Sequence, residues 1–341
     1  MKPCSLIFTC LYILVSIGSH GYTGQSDGKL VMTIQRYKKD LDGFRESVGI
    51  RGPRKQKKAW WETATYDIYT LNPDGTGLTQ LTEDGMSMRP KWALNGRFIA
   101  YVSGVGSSQN LCVMSKDGSE KKELLKNQIK INDFWWSPDS SAILVSVETR
   151  VQDKPEGYVV FVDGKRKERF GHPKWTRGWN HWDAHQAKVL NPHPHLLSAL
   201  PEKVSWPKWS LDNRYIAFTT EGILAIADVE SVSATGKWFL QRNEPPCNKI
   251  EEWSNDGKKI LFYANGYICS AEVEKDRLTN MANLSMTRGF HATWNGDGTR
   301  VAFASKPPGR SNSEVYIMDA DGSNLNRITH TNYNHLYLDW R

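Results

Sequence analysis

A tryptophan, a tight turn and an apolar run recur along this chain in a fixed order, and that order limits the folds open to it. The clearest copy is Trp253-Ser-Asn-Asp-Gly-Lys-Lys-Ile-Leu-Phe-Tyr263. The Trp ends one apolar strand, Asp256-Gly257 turns the chain, and a second strand follows. The same order begins at Trp92, Trp136, Trp209 and Trp294. A further copy is split between the ends. Asp27-Gly28 precedes the run from Leu30 to Thr33 with no Trp strand before it, and the chain closes on Leu336-Tyr-Leu-Asp-Trp340-Arg341. Set side by side, the two halves restore the sentence.

The Trp positions 92, 136, 209, 253, 294 and 340 are separated by 44, 73, 44, 41 and 46 residues. A period of roughly 40–45 residues with about four strands per repeat is the signature of a β-propeller. The long gap holds one repeat and an insertion, since no further Trp hairpin lies within it. After each hairpin come two more short strands, as in Tyr66–Leu71 and Glu314–Met318, bounded by Asp-Gly turns. The reading is all-β: six four-stranded antiparallel blades. The strand near Trp340 pairs with the strand near Leu30, which leaves the ring without an open edge. The repeated Trp is expected at blade-to-blade contacts, not at a ligand.

Residues 316–329, Tyr-Ile-Met-Asp-Ala-Asp-Gly-Ser-Asn-Leu-Asn-Arg-Ile-Thr, and the hairpin Trp136-Ser-Pro-Asp-Ser140 resemble the WD40-like PD40 repeat. That repeat builds the six-bladed propeller of TolB-like proteins and is similar to the non-catalytic propellers of prolyl-oligopeptidase-type enzymes. The resemblance runs over nearly all of residues 27–341. It implies the propeller and leaves function open. TolB carries an α/β domain ahead of its propeller, which has no counterpart here. The peptidases carry an α/β-hydrolase domain, and no Gly-x-Ser-x-Gly elbow occurs in this chain.

Residues 1–21 read as a signal peptide: Lys2, a mostly apolar run from Ser5 to Ile17, then small residues at Ser16/Gly18 and Ser19/Gly21. This implies a secreted or periplasmic protein, with 22–341 a single propeller domain and no integral membrane span. Cys112, Cys247 and Cys269 lie beyond the leader, an odd number without close spacing. They read as small buried residues and not as a disulfide framework. Asn283-Leu-Ser285 is a lone glycosylation sequon.

Two insertions interrupt the repeats. Residues 36–62 hold nine Lys/Arg against four acids, most of the formal +7 charge of the chain. Arg51, Arg54, Lys55, Lys57 and Lys58 stand beside Trp60 and Trp61. Cations next to paired aromatics suit an anionic glycan, a lipid headgroup or an acidic protein face. Export disfavours nucleic acid, and a solvated loop is the plainer alternative. Residues 171–205 carry five of the nine His and three Trp, Trp179 and Trp182 among them. His181 and His185, four apart, would share a helical face, and His193 and His195 would have to complete a divalent-metal site. The alternatives are a packed lid or a stacking platform for a glycan. Second-to-third-strand loops and blade-to-blade loops leave a propeller on one face, so both insertions are expected at the same channel mouth. The reading is a monomeric, non-catalytic binding propeller. The competing reading is a metal-dependent hydrolase or lyase acting on a glycan.

Overall fold

The computed structural model describes residues 28–37, 64–137, 139–148, 156–165, 167–170, 205–210, 214–228, 247–274, 277–285 and 287–341. Every regular element among them is a strand. In chain order, β1 (Leu30–Tyr37), β2 (Ala64–Leu71) and β3 (Thr79–Gln80) form one sheet, joined by the last strand, β23 (Asn334–Trp340), in the order β23-β1-β2-β3. The next sheet runs β4 (Ser87–Trp92), β5 (Phe98–Val105), β6 (Ser108–Ser115), β7 (Lys122–Gln128). The third runs β8 (Lys130–Trp136), β9 (Ala142–Glu148), β10 (Glu156–Phe161), β11 (Lys167–Phe170). Then come β12 (Ser205–Trp209), β13 (Tyr215–Thr220) and β14 (Ile223–Asp228). The last two are β15 (Cys247–Trp253) to β18 (Arg277–Asn283), through β16 (Lys259–Ala264) and β17 (Tyr267–Glu274), and β19 (Gly289–Trp294) to β22 (Asn326–Arg327), through β20 (Arg300–Ser305) and β21 (Glu314–Asp319).

All pairings within these sheets are antiparallel, and each sheet is a meander. The chain is an all-β propeller. Its expected count needs correction. Five sheets have four strands, and the β12–β14 sheet has three among the described residues. The place in sequence where its fourth strand would fall, 229–246, lies outside them. The seam is as expected: β23 pairs antiparallel with β1, Leu30 opposite Trp340 and Val31 opposite Asp339.

The Trp hairpins explain their own sequence. Asp256 Oδ1 accepts the Lys258 amide at 3.0 Å, and Asp297 Oδ1 accepts that of Thr299 at 3.0 Å. The Asp three residues on from the last strand position bonds the amide two residues further and mimics a turn of backbone, which is why Asp recurs there. The residue after each Trp closes the hairpin. Ser210 Oγ accepts from the Tyr215 amide and Ser254 Oγ from the Lys259 amide, both at 2.9 Å, and Asn295 Oδ1 does the same for Arg300. Ser254 is 1% exposed. Ser254→Ala leaves that buried amide without its side-chain acceptor and is expected to cost about 1–2 kcal/mol. A urea melt with an unchanged m-value checks it.

The Trp residues sit between sheets, as expected. Trp92 packs with Val31 and Ile68 of the preceding sheet, and Trp136 with Ala100 and Val113. Trp253 packs with Leu224 and Ile226, Trp294 with Leu261 and Tyr263, and Trp340 with Ala302 and Ile317. Each indole thus covers the apolar face of the sheet before it. Cys112, Cys247 and Cys269 are free and buried, which matches the reading of them as core residues. Asn283 is exposed at the end of β18.

Candidate functional site

The inner strands of a propeller leave backbone groups facing the axis, and these need partners. At three of the hairpins the residue just before the Trp supplies them. Asp339 Oδ2 accepts the Trp92 amide at 2.5 Å, and Glu252 Oε2 accepts the Trp294 amide at 3.0 Å. Lys91 Nζ donates to the Phe134 carbonyl at 2.8 Å and to Asp133 at 2.9 Å. In return some of the indoles donate backwards, though Trp294 Nε1 is buried with no hydrogen-bond partner among the described residues. Trp136 Nε1 reaches the Lys91 carbonyl at 3.0 Å and Trp253 Nε1 the Lys208 carbonyl at 2.9 Å. Successive sheets are therefore laced in both directions at the axis. These charged residues were not among the sequence candidates. The signal was there: the Trp is constant, and the residue before it varies, being charged in four of six copies (Lys91, Lys208, Glu252 and Asp339).

Charge in this belt is uneven. On Asp133, burial works against ionisation. Lys91, Arg89 and Lys208 outweigh it and hold the carboxyl well below the usual carboxylate range. Burial lowers Lys91, with Asp133 opposing. Water still reaches about a third of each side chain, 33% and 36%. The pair is thus worth about 1 kcal/mol, not the several that a fully enclosed bridge would put at stake. Across the axis the balance reverses. Glu252 is pushed up to about 7 by burial and by Asp339, against the pull of Arg341. Burial raises Asp339 as well, again with Arg341 opposing.

Three residues before the Trp, the inner strands bulge. The register shifts between Met88 and Lys91, and between Phe290 and Thr293. Arg89, His291 and Tyr337 all take left-handed backbone there, at φ 59°, 55° and 54°. Such φ values are uncommon for side chains of this size, and bulges re-aim the residues that carry them. Tyr337 and His291 are turned against each other, ring centres 4.6 Å apart. Burial, with Lys249 adding to it, lowers His291 to about 4, so it is neutral at ordinary pH.

Arg89 and Tyr337 border a cavity of about 510 Å³ between the closing sheet and the β4–β7 and β8–β11 sheets. Met88, Val102, Ile131 and Leu336 supply apolar wall, and Tyr66, Gln109 and Lys130 polar wall. Gly106, in the β5–β6 turn, and Lys130, at the β7–β8 link, place it at the face where second-to-third-strand and blade-to-blade connections emerge. The chain leaves β1 at Tyr37 and returns at Ala64, paired with each other at this same end. Phe170, ending β11, and Ser205, opening β12, also lie on that face by the antiparallel order of their sheets. The inserted stretches are thus 38–63 and 171–204, slightly shorter than expected, since Arg36, Tyr37 and Ser205 belong to strands. Arg51, Arg54, Lys55, Lys57, Lys58, Trp60, Trp61, Trp179, Trp182, His181, His185, His193 and His195 all lie outside the described residues. Among the described residues no His, Cys, Asp and Glu gather into a metal-binding group, and no helix is long and apolar enough to cross a membrane.

The rim beside the cavity is aromatic. Tyr37, Met86 and Tyr333 are 55%, 48% and 40% exposed. The Arg36 guanidinium lies over the rings of Tyr69 and Tyr333, 5.2 and 5.0 Å from their centres, and donates to the Tyr69 hydroxyl. Asn334 Nδ2 reaches Gln35 at 3.0 Å and the Tyr37 hydroxyl at 3.3 Å, which ties the two ends of the chain together under this rim.

No protein-family profile matches the chain. Dipeptidyl-peptidase 5 of Porphyromonas gingivalis is 24% identical over 302 residues, which is 81% of this chain and 39% of that protein. The Tol-Pal system protein TolB of Geobacter sulfurreducens is 34% identical over 73 residues, 21% of this chain and 17% of that protein. The chain spans well under half the length of the curated relatives it matches. The crystal structure of TolB from Acinetobacter baumannii aligns with a TM-score of 0.58 at 14% identity, covering 92% of this chain and 66% of that one. Identity that low speaks for architecture alone, and it agrees with the antiparallel sheets described above: the chain folds as a TolB-like β-propeller.

Proposed function

We propose that this chain is an exported, non-catalytic binding propeller that takes a partner at the mouth where both insertions leave the blades. In this reading residues 1–21 are a cleaved signal peptide, 22–341 are one domain, and the β12–β14 sheet is its sixth blade. The observation that carries the proposal is the placement of exposed apolar surface. Of the five large exposed apolar side chains among the described residues, Tyr37, Met86 and Tyr333 share this mouth. Exposed aromatic and Met groups around a cavity, on loops held by rigid sheets, suit protein recognition. The basic and aromatic residues of 38–63 would extend that surface towards an acidic protein face, an anionic glycan or a lipid headgroup. Trp179, Trp182 and the His cluster would flank it from the other insertion.

The test is a cross-linking pull-down from the extracytoplasmic fraction with wild type and with Tyr37→Ser/Tyr333→Ser. A species captured by wild type should fall at least about tenfold with the double variant, as for a small aromatic hot spot, while the melting temperature holds. Deleting 45–58 and replacing 172–195 should have the same effect. Unchanged capture by all three proteins would sink the proposal.

A further inference from the structure

We infer that the cavity beneath this rim holds an organic carboxylate, its charged end at Lys130 and Gln109 and its apolar body against Met88, Ile131 and Leu336. The inference rests on the binding reading above and names the ligand class for the same mouth. It begins with Gln109. The Ile131 amide donates to Gln109 Oε1 at 2.7 Å, so the oxygen of this side chain is fixed and its NH₂ is turned away from that bond. Gln109 borders the cavity, and its amide nitrogen is a donor only. Lys130, next in the chain to Ile131, borders the same space. Its one ion pair, to Glu148 at 3.7 Å, is half exposed and weak. Arg89 adds a second cation, held in place by the carbonyls of Ile131 at 2.7 Å and Asn132 at 2.6 Å. Its one acidic partner, Asp133, is shared with Lys91. Among the described residues no Asp or Glu lines the cavity. The wall therefore offers donors and positive charge from Gln109, Lys130 and Arg89, and apolar surface from Met88, Ile131 and Leu336. A ligand that matches both has a carboxylate on an apolar body.

That chemistry has two sources: the free end of a peptide chain with an apolar last residue, or a free organic acid. Three probes separate them by calorimetry: N-acetyl-Phe-Leu, its C-terminal amide, and 4-phenylbutyrate. The acetyl dipeptide or phenylbutyrate should bind, and the amide should bind about tenfold or more weakly than its acid, the worth of one charge-assisted hydrogen bond. Tighter binding of the dipeptide assigns a chain end, and tighter binding of phenylbutyrate a free acid. Lys130→Gln should weaken the carboxylate by a similar factor and leave the amide alone. Leu336→Trp, which fills the cavity from a half-buried position, should abolish binding of both. Melting temperatures report whether each variant is folded. Equal binding of acid and amide, or no binding of any probe to wild type, overturns the inference. If that happens while Tyr37→Ser/Tyr333→Ser still loses its partner, the binding face stands and only the ligand class fails.

Discussion

Trp340→Ala is expected to lower stability by about 3–5 kcal/mol and to loosen both ends of the chain at once. Trp340 is 1% exposed and packs with Leu30, Met32 and Ile317, so truncation leaves a cavity where the first and last strands meet. The Arg300 guanidinium lies 5.1 Å over the ring and would lose that contact too. A Trp at another blade, such as Trp294, is flanked by sheets that the chain itself connects. The closing sheet has no such link: β23 reaches β1 through strand pairing, through Asn334 on Gln35 and the Tyr37 hydroxyl, through Arg36 over Tyr333, and through the Lys29–Arg341 backbone bonds beyond it. Hydrogen exchange separates the two cases. In Trp340→Ala the amides of β1 and β23 should lose protection together, ahead of the β15–β18 sheet. In Trp294→Ala a loss of similar size should be spread over the β15–β22 region, with β1 still protected. Retention of β1 protection in Trp340→Ala, or a loss below about 1 kcal/mol, would mean that packing elsewhere closes the ring.

The seam was legible because a repeat with a missing half in one place and a spare half in another has one arrangement that leaves no edge. The Trp contacts were legible for the same reason, and the hairpin Asp and Ser followed from turn chemistry. The count of complete blades was less secure, because the β12–β14 repeat has no clear outer strand before Cys247. The cavity could not be read at all. Its walls come from three sheets, and Arg89 and Tyr337 face it only because the strand bulges three residues before the Trp. Period-two alternation does not register a bulge. Lys91, Glu252 and Asp339 could have been found by aligning the repeats on the Trp and asking what changes beside it. The strands that bound the insertions end at the expected face, while the candidate residues within them lie outside the described residues.

Glu252→Gln is expected to make the protein more stable above pH 7 by about 3 kcal/mol, and by less than about 1 kcal/mol at pH 5. Glu252 ionises at about 7 in the folded chain, against an ordinary 4.5, because burial and Asp339 oppose its charge more than Arg341 favours it. The folded state therefore binds a proton more tightly than the unfolded state does. The associated stability is fully present below about pH 4.5 and is lost as pH rises through 7. Gln cannot ionise, yet its carbonyl oxygen can still accept the Trp294 amide that Glu252 Oε2 holds at 3.0 Å. Removing the charge also frees Asp339 from its acidic neighbour while leaving it Arg341. Other groups bend the curve in different windows. Burial lowers His291 to about 4, a contribution that is lost as pH falls below 6.5 towards 4. Asp133 is held low by Lys91 and Arg89 against its burial, so what it contributes is lost only in stronger acid. The Glu252 effect builds up between about pH 4.5 and 7, and although the His291 window overlaps it, the His291 and Asp133 contributions are common to wild type and variant. The difference between the two urea-melt curves, taken from pH 5 to 8.5, therefore isolates the Glu252–Asp339 pair. A flat difference would show that the axis keeps both carboxylates charged at neutral pH, and that Arg341 outweighs their burial.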